Sequence, residues 1–365
     1  MTIFTSICAN YLHKARTLAD SIKDHLPNAR FIVCLLENEL NPTYEYQRFD
    51  RIVLAKDSWE GNFDRFVFKH SIVEASTSVK GQFFRFLYSE YPDENAFIYL
   101  DPDIYIYDDF IELSDLLRER PIVLCPHLLV PGNIDMELSS TAHGVYNLGF
   151  LAVNASHEAK TFIDWWAERL YLFCYNDISR GIFTDQKWVD LAPCLFDVEI
   201  FKHHGYDFAP WSLLNSKIVL NEGKYFINGD PLRFIHFSGY GKVAEKCMAD
   251  WLPSDDHLFK HLYGEYSNLH DKNNSDGISN TPWSYDFYES GERVDPAIRE
   301  AYRKNYEVMF AQENPFLLSN QHFKKALRED SKSTLVHYIR RAGEVLRQEG
   351  FVKLIKKVLS KLTRM

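Results

Sequence analysis

The chain reads as an α/β protein with a mostly parallel mixed sheet, flanking helices and a C-terminal helical extension. Three observations predict this. Apolar, β-branched runs alternate with stretches of helical period. The connections between them are short, as in βαβ units. A length of 365 residues with 46% hydrophobic content suffices for one large core plus an appendage.

The elements follow in order. Residues 2–9 form a first strand, and residues 13–25 carry Ala15, Leu18, Ala19 and Ile22 at helical spacing. Residues 30–36 are a second strand and 51–55 a weaker third. Residues 64–91 read as a long helical region with a break near Lys80-Gly81. Residues 96–100 are a strand that ends in Asp101-Pro102-Asp103. Strands follow at 121–125 and 145–153, the second interrupted by Gly149, which marks a bulge or a close backbone approach. Residues 157–172 are helical, and 231–237 form a late strand ending at Ser238-Gly239. The polar stretch 268–282 reads as a linker or mobile surface loop. Residues 281 to about 328 look helical. The expected organisation is an α/β domain over 1–262, a linker and helical extension over 263–330, and a basic amphipathic helix over 331–365.

A net charge of −10 argues against wholesale nucleic-acid binding. Residues 340–365 depart from that balance, with eight basic residues against two acidic ones. Within them Phe351, Leu354, Ile355, Val358 and Leu362 share one helical face, and the lysines fall mainly on the other. That pattern suits an anionic membrane surface, or equally a docked helix. The six cysteines are scattered without a CxxC pair, and read as buried free thiols of a reducing compartment. The sequence shows neither a signal peptide nor a membrane span, so a cytoplasmic protein is expected, peripheral on the inner membrane face if the basic end binds lipid.

Two stretches carry chemistry. Asp101 and Asp103 stand one residue apart at a strand end, where open α/β sheets place ligands. Such a pair can hold a hard divalent cation that in turn neutralises a diphosphate. The plain alternative is a proline turn with two solvated acids. The second stretch is IHFSGYGK, residues 235–242. His236 can ligate a metal, Gly239 and Gly241 can wrap a diphosphate, and Lys242 offers it a point charge. The alternative there is a satisfied core histidine.

LDPD, YNLGF (146–150), Asp185-Gln186 within FTDQKW, and H-x-x-G-x-x-K occur in one order along residues 1–262. In this the chain resembles the GT-A-fold retaining glycosyltransferases, particularly family 8, and bacterial glycosyltransferases that write the motif as YLDPDI. The resemblance implies a Rossmann-like GT-A domain and a nucleotide-diphospho-sugar donor, with UDP-sugar the leading choice. It implies that Asp101, Asp103 and His236 hold a divalent metal, and that Lys242 and Gly239 meet the diphosphate. Mn2+ is favoured over Mg2+ because one ligand is nitrogen. Thr5, Ala9, Asn10 and Tyr11 would cradle the nucleoside. Asn147 and Gly149 would sit near the donor sugar, and Asp185 and Gln186 at its reacting face. Lys80 and Arg85 would brace the donor or the aspartates. The acceptor would be a glycan or a lipid-linked glycan of bacterial surface polysaccharide. The chain departs from family 8 after the lysine, where Val243 and Ala244 replace Pro-Trp, and at Pro102.

Other residues read more plainly. Trp165 and Trp166 are expected in the core, while Trp188 and Trp211 near loops are candidates for acceptor stacking. His203 and His204 are neighbours whose side chains point opposite ways on a strand, so they are not expected to be joint ligands. Two rival functions remain: a haloacid-dehalogenase-like phosphatase, whose D-x-D also follows an apolar strand, and a sugar-nucleotide-binding scaffold without turnover.

Overall fold

A computed structural model describes residues 1–252, 257–304 and 314–328. The basic segment 340–365 and the rest of the expected C-terminal helix lie outside the described residues. Met1–Asp286 forms one compact unit, and a second starts at Phe287.

The first unit is built on a seven-stranded sheet. β1 (Thr2–Ile7) leads into α1 (Leu12–His25), β2 (Arg30–Leu35) and β3 (Arg51–Leu54). α2 (Phe63–Phe68), α3 (Ile72–Ser78) and α4 (Lys80–Glu90) precede β4 (Ala96–Leu100). A short β5 (Ile104–Ile106), α5 (Ile111–Glu119), β6 (Ile122–Leu124), α6 (Ile134–His143) and β7 (Phe150–Asn154) follow. The sheet order is β10-β6-β7-β4-β1-β2-β3, with β10 at Val198–Ile200. β7 runs antiparallel to both neighbours, and every other pairing is parallel. The expected mostly parallel mixed sheet is therefore observed.

The strands read as apolar runs because helices cover both faces. In β1 every residue is buried, including Thr2 and Thr5. α1 closes one face through Leu12, Ala15, Leu18, Ala19 and Ile22, the spacing the sequence shows. The region 64–91 is three helices rather than one or two. Asn62 caps the first through Arg65 N, and Ser71 with Glu74 forms a capping box on the second. One break falls at Val79, beside the expected Lys80-Gly81, and Gly81 itself lies in the first turn of α4. A Cβ there would come 2.6 Å from Cα of Ala167, so the glycine lets α4 press against α7 (His157–Phe173).

Beyond α7 come β8 (Asn176–Asp177), β9 (Ile182–Phe183), α8 (Gln186–Val189) and α9 (Ala192–Leu195). After β10, the strands β11 (Ile218–Asn221), β12 (Lys224–Ile227) and β13 (Asp230–Pro231) form a small antiparallel sheet. β14 (Phe234–His236) pairs with β5 outside the main sheet, so the expected strand over 231–237 is divided. α10 (Val243–Trp251) and α11 (Leu258–Asn273) follow.

The stretch 268–282 is not a mobile loop. α11 runs through its first part to Asn273, a buried residue whose amide donates to Thr17 and Asp20 and accepts from Arg48. Arg16 donates to its carbonyl and pairs with Asp276 at 2.8 Å. Polar composition here reflects bonds to α1 rather than solvation. The domain end expected at 262 falls inside α11. Five cysteines are buried and free, as expected, while Cys194 is exposed.

α1 and α11 also share a histidine contact. His13 and His270 meet Nε2 to Nε2 at 2.9 Å. Burial, with His270 and Lys14 close by, pushes the His13 pKa down to about 3. The unfolded chain binds this proton near pH 6.5, so folding is opposed progressively as pH falls from 6.5 towards 3. We expect His13→Gln to remove about 2 kcal/mol of the stability lost between pH 7 and pH 5. Urea unfolding at the two pH values checks this, and equal pH slopes for the two proteins would contradict it.

The second unit is described from Phe287 in the same way. α12 (Pro296–Lys304) buries Ile298, Arg299 and Tyr302. Asn320 ties the unit together, accepting from Tyr288 Oη and Asp295 N and donating to the Arg293 carbonyl. The helical reading of 281–328 holds in part among the described residues, since extended and turn segments precede α12 over 287–295.

Candidate active site

The acidic turn takes its position from the sheet. β4 delivers Asp101 at its carboxyl end, and Asp101 N donates to the Gly149 carbonyl at 2.8 Å. Pro102 closes a turn in which Ile104 N returns to the Asp101 carbonyl. β5 then pairs with β14, placing Ile104 opposite His236, and Phe237 N donates to the Asp103 carbonyl at 2.9 Å. Backbone pairing, not chance approach, brings the imidazole to the aspartates.

One ligand atom from each of Asp101, Asp103 and His236 lies within 4.8 Å of the others. His236 Nε2 is 3.2 Å from Asp103 Oδ1 and 3.7 Å from Asp101 Oδ2. Gly149 is what makes room for the ring: a Cβ there would meet His236 Cε1 at 2.2 Å. The strand expected to start at residue 145 starts only at Phe150. Two carboxylates and one imidazole, which must give up a proton to bind, are a suitable donor set for a divalent cation on this fixed backbone.

Cations of the protein itself already balance these acids. Lys14, in the first turn of α1, pairs with Asp103 Oδ2 at 3.3 Å. Burial opposes charge on Asp103, yet Lys14 and His236 outweigh it and hold the carboxyl well below its usual range. Burial likewise opposes charge on His236, but Asp103 and Asp207 push its pKa up to about 10. Asp207 stands behind the ring, its Oδ1 3.4 Å from Nδ1. Tyr99 donates to Asp101 Oδ1 at 2.5 Å.

A second buried pair lies alongside. Lys80, 2% exposed, reaches Asp185 at 2.8 Å and Asp101 at 3.6 Å. It also donates to the Leu148 carbonyl and lies over the Tyr99 ring. Burial opposes its charge, but Asp185 and Asp101 more than offset that, and its pKa is raised. Burial also raises Asp185, against the pull of Lys80. Trp166, a core residue as expected, donates through Nε1 to the Asp185 carbonyl.

Two cavities meet at this point. One, of about 510 Å³, runs from Ser6, Cys8, Asn10 and Tyr11 past Thr77 and Lys80 to Asp101, Asp103 and Asp185. The other, of about 890 Å³, lies between α6 and α10 and includes His127, Asn147, Trp211, His236 and Trp251. Asp101, Phe183, Gln186 and Ser238 line both. Gln186 is held in place, accepting from Leu148 N and donating to the His143 carbonyl.

The sequence expectations divide accordingly. Asp101, Asp103, His236, Lys80, Asn147, Gly149, Asp185, Gln186, Asn10 and Tyr11 converge on the cavities or the acidic cluster. Thr5 and Ala9 are buried under the first cavity, which Ser6 and Cys8 line instead. Lys242 is exposed at the start of α10 and lines neither cavity. Gly239 serves the turn after His236 at φ +69 and also lines neither. Arg85 does not brace the aspartates, since it pairs with Asp164 at 2.6 Å. His203 and His204 do not lie on a strand, and His204 pairs with Asp230 while His203 Nε2 is 4.0 Å from Glu112. Trp188 donates to the Phe173 carbonyl, and only Trp211 of the two loop tryptophans lines the second cavity.

Three contributors were missed. Tyr99 had a signal, because residues two apart on a strand share a face with Asp101. Lys14 follows the first strand by one helical turn, where its reach to Asp103 depends on the β1–β4 pairing. Asp207 had no local signal.

Comparison with known proteins adds the following. No family model matches the chain. It is 21% identical over 247 residues to the uncharacterized protein YfnD of Bacillus subtilis (strain 168), covering 66% of this chain and 78% of YfnD. It is 27% identical over 177 residues to YfnF of the same organism, covering 46% of this chain and 57% of YfnF. Among solved structures it is similar to the galactosyltransferase LgtC in complex with donor and acceptor sugar analogs, at a TM-score of 0.47 and 16% identity. That match covers 74% of this chain and 96% of LgtC. It is also similar to the glycosyltransferase GlyE of Streptococcus pneumoniae TIGR4, at a TM-score of 0.42 and 13% identity, over 79% of this chain and 66% of GlyE. At these modest scores the functional reading rests on the site. No helix among the described residues is long and apolar enough to cross a membrane.

Proposed function

We propose that the chain is a metal-dependent glycosyltransferase that moves a sugar from a nucleoside-diphospho-sugar to a glycan or lipid-linked acceptor in surface-polysaccharide synthesis. The observation that carries this is the convergence of Asp101, Asp103 and His236 at the junction of two cavities. A hydrolase of small phosphoesters needs one pocket. A transferase needs a donor chamber and an acceptor chamber that meet at the reacting bond.

Asp101, Asp103 and His236 would hold the cation, with Mn2+ favoured by the nitrogen ligand. Such an ion supplies Lewis-acid stabilisation of a diphosphate leaving group. The rest is work for the protein. The first cavity takes the nucleotide. Asn10 lines it, with its Oδ1 buried and without a hydrogen-bond partner among the described residues, so a nucleotide would meet that oxygen only after the side chain turns. UDP is the nucleotide this reading favours, by the resemblance to retaining GT-A glycosyltransferases. Lys80 fixes Asp185, and Gln186 faces both chambers. An Asp185 carboxylate locked to Lys80 is better placed to hold a sugar hydroxyl than to attack the anomeric carbon. That supports retention by same-face attack of the acceptor. Lys242 would need the glycine turn Gly239–Gly241 to swing before it met a diphosphate.

The test is a thermal-shift screen of UDP, GDP, ADP and CDP with and without Mn2+. We expect UDP alone to stabilise the protein, and only with Mn2+, by about 2.7 kcal/mol at a hundredfold excess over Kd. The absence of stabilisation by every nucleotide with the metal present would reject the reading. Phosphate release from simple phosphoesters would favour a phosphatase, and Mn2+-dependent UDP binding without sugar transfer a silent scaffold.

A further inference from the structure

The His236 ring has neighbours at both nitrogens, and those at Nδ1 make opposite demands. Asp207 Oδ1, 3.4 Å away, can only accept a proton. The Asn147 amide nitrogen, 3.1 Å away, can only donate one, because Gly149 N holds the amide oxygen on the other side. The carboxylate asks for Nδ1–H, and the amide asks for a lone pair there. In a neutral ring only Nδ1–H leaves a lone pair on Nε2, the nitrogen that faces Asp101 and Asp103.

Two observations decide between them. The Asp207 side chain is 1% exposed, and neither carboxylate oxygen has a hydrogen-bond partner closer than this imidazole contact. A bare buried carboxylate is far more costly than one amide N–H without its acceptor. The backbone also holds Asp207 in place. His236 N donates to the Phe208 carbonyl at 2.8 Å, and Asp207 itself sits at φ +49, a left-handed conformation that Asp and Asn tolerate and most residues resist.

We propose that Asp207 is a positioning residue: its carboxylate keeps the proton on Nδ1 of His236 and so aims the Nε2 lone pair, together with Asp101 and Asp103, at a divalent cation. A carboxylate that orients a metal-binding histidine acts through ligand geometry and basicity. The inference rests on the metal-site reading above.

The experiment is Mn2+ titration of the full-length protein, followed by electron paramagnetic resonance of the free ion, for wild type, His236→Ala, Asp207→Asn and Asp207→Ala. We expect His236→Ala and Asp207→Ala to weaken binding roughly 10- to 100-fold, and Asp207→Asn by about tenfold. Asn takes the left-handed backbone readily, so that variant decides the matter if the alanine variant misfolds. If His236→Ala weakens binding and neither Asp207 variant does, the proposal fails while the metal site stands. If His236→Ala also binds as wild type, the metal-site reading fails and takes the proposal with it. A structural role alone would not fix the tautomer. Nitrogen-15 spectra of histidine-labelled, Cd2+-loaded wild type should show the His236 proton on Nδ1, and a proton on Nε2 would overturn the assignment.

Discussion

Replacing Asp103 by Asn should abolish Mn2+-dependent sugar transfer, with kcat falling by about 10²–10³-fold. The substitution keeps the shape of the side chain and removes one carboxylate from the proposed ligand set. It also leaves Lys14 and His236 beside a neutral amide. Lys14, no longer answered by a carboxylate, would then repel an entering metal, so affinity falls for two reasons at once. UDP release from a UDP-sugar, followed at saturating donor and increasing Mn2+, measures the loss. The mechanism would be wrong if the variant turned over at the wild-type rate. A normal circular-dichroism spectrum would separate lost chemistry from lost fold.

The second large effect concerns stability. Lys80→Met should cost about 3–5 kcal/mol, because it leaves the buried Asp185 carboxylate without its 2.8 Å partner. The methionine fills much the same volume, so the loss reports charge rather than a cavity. Adding Asp185→Asn to the same chain should restore most of it, since the uncompensated charge is then gone. Denaturant midpoints of the two variants against wild type give the answer. If Lys80→Met is as stable as wild type to within about 1 kcal/mol, the pair is not the electrostatic unit described here. Activity should stay low in both variants, because Asp185 would no longer be held in the first cavity by Lys80.

Both predictions begin from residues that could be read directly. The apolar strand before Asp101 marked the carboxyl end of a sheet strand, and the order of the later motifs supplied His236, Asp185 and Gln186 as companions. Gly149 could be read as a close approach, though not as the gap that admits an imidazole. Composition misled where polarity was taken for solvation. The segment 268–282 is rich in turn formers, yet Asn273 is buried and bonded to α1. Lys242 was read from its spacing after His236, but spacing says nothing of direction, and two left-handed glycines turn the chain so that the lysine starts α10 in solvent.

The sequence by itself determined the alternating strands and helices, the acidic strand end and the residue types able to bind a cation, because periodicity and local chemistry are written in neighbouring positions. Only the tertiary structure decided which charges answer one another. Lys14 meets Asp103, Lys80 meets Asp185, and Asp207 meets His236, across separations of 89, 105 and 29 positions along the chain. Such pairs are set by strand order and backbone pairing. A buried charge takes whatever partner the fold brings within reach, and no local pattern names it in advance.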